Sequence, residues 1–205
     1  RMQVKGAKIT HYLLEKSRVV SQMRGERNFH IFYQLFSSSR HRDKYGLTDP
    51  SKFRYLSSSK CYVVDGIDDQ ADFAETQSAM SQLGFSSDQQ SWIFDTIAGL
   101  LHLGTIKFKA KRIGSADGCE VKTPHRLKRA AKLLKVTDAA LEKAITNRSI
   151  VIGGKKTMIP LKPDDAVAAV DRRLFPHLEN EEDLDFLDAA IERHRAALET
   201  LERLD

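Results

Sequence analysis

Apolar side chains recur at helical spacing from Asn28 onward: Phe29, Phe32, Tyr33 and Phe36, with Ile31 and Leu35 beside them. That period predicts a buried aromatic helix. Upstream the pattern is different. Ile9, His11 and Leu13 alternate among β-favouring residues, Gly6 offers a bend before them, and residues 17–20 continue in extended style. This reads as strand. The polar, basic stretch 37–45 reads as a loop. Asp65-Gly66 is a turn signal, and Asp68 or Asp69 can cap a helix that carries Phe73, Thr76, Met80 and Leu83 and ends at Gly84. Ser86 with Gln89 three residues on is a capping-box pattern opening a helix with Ile93, Ile97, Leu100 and Leu101, stopped by Gly104.

The second half repeats this grammar. Residues 105–108 look like a short strand and 114–118 like a loop. Thr123-Pro124 supplies a cap and a first-turn proline for a helix holding Leu127, Ala130, Ala131 and Leu134. Thr137 caps the next, with Leu141 and Ile145 inward. Residues 149–161 run β-branched, then Gly153-Gly154, then β-branched again, which reads as a hairpin or an excursion loop. A last helix begins near Asp164, after Pro163. The fold class is therefore mainly α with a few β strands, α+β.

The 205 residues are 41% hydrophobic and 30% charged, enough apolar material for a core and too much for global disorder. The apolar runs are far shorter than the roughly 20 residues a membrane-spanning helix needs. No signal peptide is visible, and Arg1 opens in mid-pattern, so the expectation is a cytoplasmic chain cut from a longer one. Cys61 and Cys119 are far apart and form no CxxC motif, so neither a disulfide framework nor a zinc ribbon is implied. The net charge of +5 conceals alternating blocks: +9 over 1–60, −7 over 61–104, +11 over 105–163 and −8 over 164–205. The basic blocks suit a polyanionic surface (nucleic acid, an anionic membrane or an acidic filament), or the blocks neutralise one another within the fold.

Chemistry is sparse. Residues 153–157, GGKKT, suggest a phosphate loop but fail on spacing, because Ser149 stands where the first glycine belongs and Lys156 where the magnesium-holding hydroxyl belongs. The histidines form no HxxxH or HExxH pair. His30 and His102 fall within apolar helices and read as core side chains. Asp65, Asp68 and Asp69 lack the spacing and closing glutamate of a calcium loop and read as a turn and cap. No catalytic, cofactor-binding or metal-binding residue is assigned.

Three collinear runs carry a resemblance. GAKITHYLLEKSRVV at 6–20 with GERNFHIFYQL at 25–35 resembles the myosin motor domain just after its switch I loop. CYVVDGIDD at 61–69, followed by Phe73, Thr76, Ala79, Met80, Leu83, Gly84 and Phe85, is similar to the next segment of that family. IAGLLHLGTIKF at 97–108 resembles the one after. The resemblance covers residues 4–161 and implies a helical fragment of a myosin motor head, part of the upper fifty-kilodalton subdomain, with partial transducer strands at its N-terminus.

In that family MgATP is held by a P-loop, switch I and switch II, and none of those runs is in this sequence. Phosphoryl transfer needs a phosphate cradle, a magnesium ligand and a positioned water. The implied expectation is no cofactor and no ATPase activity in this chain alone. The resemblance further places NRSIVIGGKKTMIPL, 147–161, where myosins carry the cardiomyopathy loop, which touches actin. Arg148, Lys155 and Lys156 are the actin-contact candidates, so the expected partner is an actin filament, bound weakly through the basic loop 148–157. The remainder of a myosin head is the second expected partner, and the chain is expected to be cytoskeleton-associated. A membrane is not expected, and nucleic acid ranks last because helix-turn-helix, RNP and zinc-knuckle signatures are missing. A stand-alone interaction module derived from a head fragment is the alternative.

The division expected is a motor-like segment over 1–163 and a divergent acidic helical tail over 164–205. In the tail Pro176 breaks the pattern, and beyond it Leu184, Leu187, Ile191, His194, Leu198 and Leu201 follow a 3,4 spacing. That predicts an acidic amphipathic helix that packs back on the basic body or pairs with another helix.

Overall fold

The structure, a computed structural model, describes residues 17–174. The N-terminal strand expected at residues 9–13 and the tail beyond residue 174 lie outside the described residues. More than half of the described residues are helical, with two small antiparallel hairpins, in agreement with the α+β reading. The chain divides into two units, residues 1–95 and 96–205.

In the first unit, α1 (Ser17–Val20) leads through a turn to α2 (His30–Ser37), α3 (Ser39–Tyr45), a 3-10 turn (Pro50–Lys52), α4 (Arg54–Ser57), α5 (Asp69–Gln82) and the start of α6 (Ser87–Gly104). The aromatic helix is present, with Phe32, Tyr33, Leu35 and Phe36 buried. Its N-cap is Phe29, which stays partly exposed, and His30 is exposed rather than in the core. α2 packs on α5, and Phe36 meets Phe53 edge-on at 5.4 Å between ring centroids. Such pairs add about 0.5–1.5 kcal/mol beyond the area they bury.

Two segments expected to be extended or irregular are helical. Residues 17–20 form a helical turn, held where Gln22 Nε2 donates to the Val19 carbonyl and Arg18 Nη1 donates to the Arg27 carbonyl at 3.2 Å. The expected loop over 37–45 is largely α3, ended by Gly46 at φ 63°. Its inward face consists of His41 and Tyr45, one turn apart. His41 meets the Phe73 and Phe94 rings edge-on at 4.9 and 5.7 Å. A two-residue stripe leaves little period in a basic sequence.

α5 starts as expected: the Asp68 carboxylate accepts from the N–H groups of Gln70 and Ala71. Leu83, expected on this helix, is its C-cap and is 56% exposed. The capping box ahead of α6 closes reciprocally, with Ser86 N–H donating to Gln89 Oε1 at 2.7 Å and Gln89 N–H to Ser86 Oγ at 3.2 Å.

The second unit takes the rest of α6, then β1 (Phe108–Ile113), β2 (Ala116–Val121), α7 (Pro124–Leu133), α8 (Asp138–Thr146), β3 (Asn147–Ile152), β4 (Lys155–Pro160) and α9 (Pro163–Leu174). Its core joins Leu103, Ile106, Leu127, Ala130, Ala131, Leu141, Ile145 and Val170. His102 is buried as expected, its Nδ1 3.0 Å from Arg126 Nη1. Thr105 and Ile106 return their N–H groups to His102 and Leu103, so the strand expected at 105–108 begins only at Phe108. The loop expected at 114–118 shrinks to Gly114-Ser115, because Ile113 pairs directly with Ala116. Thr137 caps α8 by accepting from Ala140 N–H. Thr123 precedes Pro124 as expected, but its Oγ1 accepts from Lys107 N–H instead of capping α7.

Candidate functional site

α8 passes into β3 without a connecting loop. Thr146 Oγ1 donates to the Glu142 carbonyl at 2.7 Å, and Asn147 turns extended while its Nδ2 donates to the Lys143 carbonyl at 3.1 Å. Leu161 N–H donates to the Thr146 carbonyl at 2.8 Å and closes the base of the hairpin beside the buried Leu161 side chain. At the tip Gly153 and Gly154 have φ of 55° and 77°. Two consecutive positive φ values define the primed two-residue turn whose twist matches antiparallel strands, and only glycine enters both positions without strain.

That turn sets the register: Arg148 opposite Ile159, Ser149 opposite Met158, Ile150 opposite Thr157, and Val151 opposite Lys156. Side chains alternate faces along a strand, and directly opposed residues share one. Arg148 and Lys155 therefore lie on one face with Ile150, Thr157 and Ile159. Lys156 lies on the other with Ser149, Val151 and Met158. All three basic candidates are exposed, and residues 147–161 contain no acidic side chain. The second face also exposes apolar surface, with Val151 at 69% and Met158 at 41%.

A triphosphate does not fit this loop. A phosphate cradle aims successive backbone N–H groups, generally at a helix N-terminus, toward one point. Here the glycines are spent on a hairpin turn, and a strand, β4, follows them. Among the described residues no group of three or more His, Cys, Asp or Glu side chains is placed to hold a metal ion.

The neighbouring β1–β2 hairpin is also basic, and Glu120 matches part of its charge. Glu120 sits opposite Lys109, and its two carboxylate oxygens lie 2.6 Å from Lys109 Nζ and 2.6 Å from Lys111 Nζ. These two ammonium groups, Lys109 first, hold the Glu120 carboxyl down to about 2. Gly118 allows close approach of this hairpin to the next: a Cβ there would lie 2.7 Å from Ile113 Cδ1 and 3.0 Å from Pro160 Cβ. Neither Glu120 nor Gly118 stood out in the sequence, although a K-x-K strand facing an acidic residue across a Gly-containing turn is a usable signal.

In the first unit the aspartates separate in role. Asp68 caps α5, while both oxygens of Asp69 accept from Arg27 Nη2 at 2.7 and 2.8 Å. The Arg27 side chain is 3% exposed, and its guanidinium carbon lies 3.9 Å over the Tyr33 ring. Arg27 Nε and Nη1 are buried without hydrogen-bond partners. Asn28 beside it donates from Nδ2 to the carbonyls of Val19 and Tyr55. These buried polar groups join α1, α2, α4 and α5, and they read as architecture.

Residues 1–176 match the family described as myosin head (motor domain). The chain belongs to the myosin head family. It is 42% identical over 173 residues to Myosin-1 of Mycosarcoma maydis, covering 81% of this chain and 13% of that protein. It is 45% identical over 151 residues to the Myosin IB heavy chain of Dictyostelium discoideum, covering 73% of this chain and 13% of that protein. Identity to Myosin-15 of Arabidopsis thaliana is 38% over 182 residues, 86% of this chain and 12% of that protein. The chain thus spans about an eighth of the length of these curated relatives. The myosin head match takes in both units and both hairpins. Among the described residues no helix is long and apolar enough to cross a membrane.

Proposed function

We propose that this chain is a segment of an actin-based, ATP-driven motor head, and that its contribution is the filament-facing β3–β4 hairpin rather than the nucleotide site. The reading places the longer motor in the cytoplasm on actin filaments. The remainder of the head supplies the groups that hold MgATP, and the segment alone turns over no ATP and binds actin weakly. The observation that carries it is the hairpin itself: Arg148, Lys155 and Lys156, all exposed, on a rigid two-residue turn with no acidic residue between 147 and 161. An exposed basic projection suits an acidic filament surface, chiefly by steering the encounter and fixing register. The myosin head match over 1–176 gives no support to the stand-alone interaction module.

The test is cosedimentation of the chain with filamentous actin. The chain pellets with filaments at low salt, and pelleting falls away by about 0.5 M salt as the charges are screened. Lys155→Glu with Lys156→Glu weakens it, and Arg148→Glu weakens it further. Unchanged pelleting in the triple variant rejects the hairpin as the contact, and ATP turnover intrinsic to the purified chain rejects the division of labour.

A further inference from the structure

The Lys156 face of the β3–β4 hairpin pairs positive charge with two large apolar side chains in water, Val151 and Met158. The same chain holds a segment of matching chemistry. Residues 175–205 contain ten acidic and three basic side chains, and Leu184, Leu187, Ile191, Leu198 and Leu201 recur among them at 3,4 spacing. We propose that residues 178–205 dock on the Val151–Met158 face and compete there with the actin filament. The docking stands on complementarity and reach, and the competition rests on the function proposed above.

Complementarity is two-sided. The hairpin offers apolar surface flanked by lysine with no carboxylate between 147 and 161, and the tail offers an apolar stripe flanked by carboxylates with few cations. Opposite charges aligned around an apolar contact fix register, and the apolar area supplies the affinity that exposed ion pairs lack. The tail also reaches. α9, twelve residues long, extends about 18 Å from Pro163. Met158 and Pro163 are five positions apart, at most about 17 Å of chain, and residues 175–184 extend up to about 35 Å. Leu184 therefore reaches Met158 from the end of α9. A tethered segment faces its site at an effective concentration in the millimolar range, so a contact too weak to persist between separate molecules is populated within one. An acidic strip on this face mimics an acidic filament and competes with it, which weakens filament binding without abolishing it.

Zero-length carbodiimide cross-linking of the intact 205-residue chain tests the docking. The expected products join Lys155 or Lys156 to Glu181, Glu182, Asp183, Asp185 or Asp188 within the monomer band. They disappear at about 0.5 M salt and drop severalfold in Val151→Asp with Met158→Asp, both substitutions at exposed positions. Monomer lacking these cross-links overturns the docking, and finding them only in a covalent dimer overturns it in favour of a second copy. Competition is read separately, from cosedimentation of Glu181→Gln, Glu182→Gln, Asp183→Asn and Asp185→Asn combined. Pelleting severalfold above the intact chain supports the block, and unchanged pelleting overturns it. If the cross-links form while neither protein pellets with actin, the filament-binding reading fails, the competition fails with it, and the docking stands.

Discussion

Lys155 and Lys156 are adjacent in sequence and lie on opposite faces of one hairpin, because Lys156 pairs across the strands with Val151 while Lys155 pairs with Ile152 at the turn. A filament approaching one face meets one of these lysines directly and the other only at the rim. The face of Lys156 also presents Val151 and Met158, whose burial desolvates the charge beside them. Lys156→Glu is therefore expected to weaken actin cosedimentation about fivefold, and Lys155→Glu about twofold or less, within the range of partly exposed ion pairs. Equal effects from the two substitutions contradict this placement.

Arg27 and Asp69 are expected to act as a unit. Removing one partner of a buried pair strands the other charge, at about 3 kcal/mol. Asp69→Asn leaves the Arg27 guanidinium, already carrying two unpartnered nitrogens, without its carboxylate. Arg27→Met combined with Asp69→Leu removes both charges and costs less than Asp69→Asn alone. Urea unfolding of the three proteins checks the order.

His41 makes the first unit sensitive to acid. Burial among Tyr45, Phe73 and Phe94, then the charges of Arg40 and Lys44, lower its pKa from the usual 6.5. Lys44 is in turn bound to Asp95 at 2.7 Å. The folded protein holds the imidazole neutral where the unfolded chain already takes up a proton, so the unfolded state binds more protons just below pH 6.5. The stability due to this group is full above that pH and is lost as the pH falls toward the folded-state value. His41→Gln is expected to flatten that part of a pH series of thermal melts. An unchanged slope counts against a neutral, buried His41.

Glu120 supplies a site-specific titration. With Lys109 and Lys111 both on its carboxylate, its carbon-13 resonance is expected to titrate near 2. Lys109→Met moves the midpoint up toward the ordinary 4.5. A wild-type midpoint at the ordinary value shows that the two lysines do not hold the carboxylate in solution.

The features legible in the sequence are those whose chemistry closes within a few residues. Asp68, Thr137 and the reciprocal Ser86–Gln89 pair announce helix starts because the bonds they make span two or three positions. Gly153-Gly154 announces its turn because two positive φ values admit little else. A two-residue turn dictates cross-strand pairing, so the split of Lys155 and Lys156 between faces was implicit in that dipeptide. α3 was hidden because His41 gains its partners Phe73 and Phe94 from distant segments. Arg27 and Asp69 are 42 positions apart, and no local pattern couples them. The same distance effect separates Asp68, whose cap is local, from Asp69, whose partner is not.

Residues 147–160 are the surface that this segment is proposed to present to actin. Hydrogen exchange by mass spectrometry on the intact chain, with and without saturating filaments at low salt, measures that directly. Slowed exchange centred on the peptide covering 147–160 is the predicted result, reversed by added salt. Protection elsewhere, with the amides of 147–160 exchanging as fast on filaments as in free chain, contradicts it.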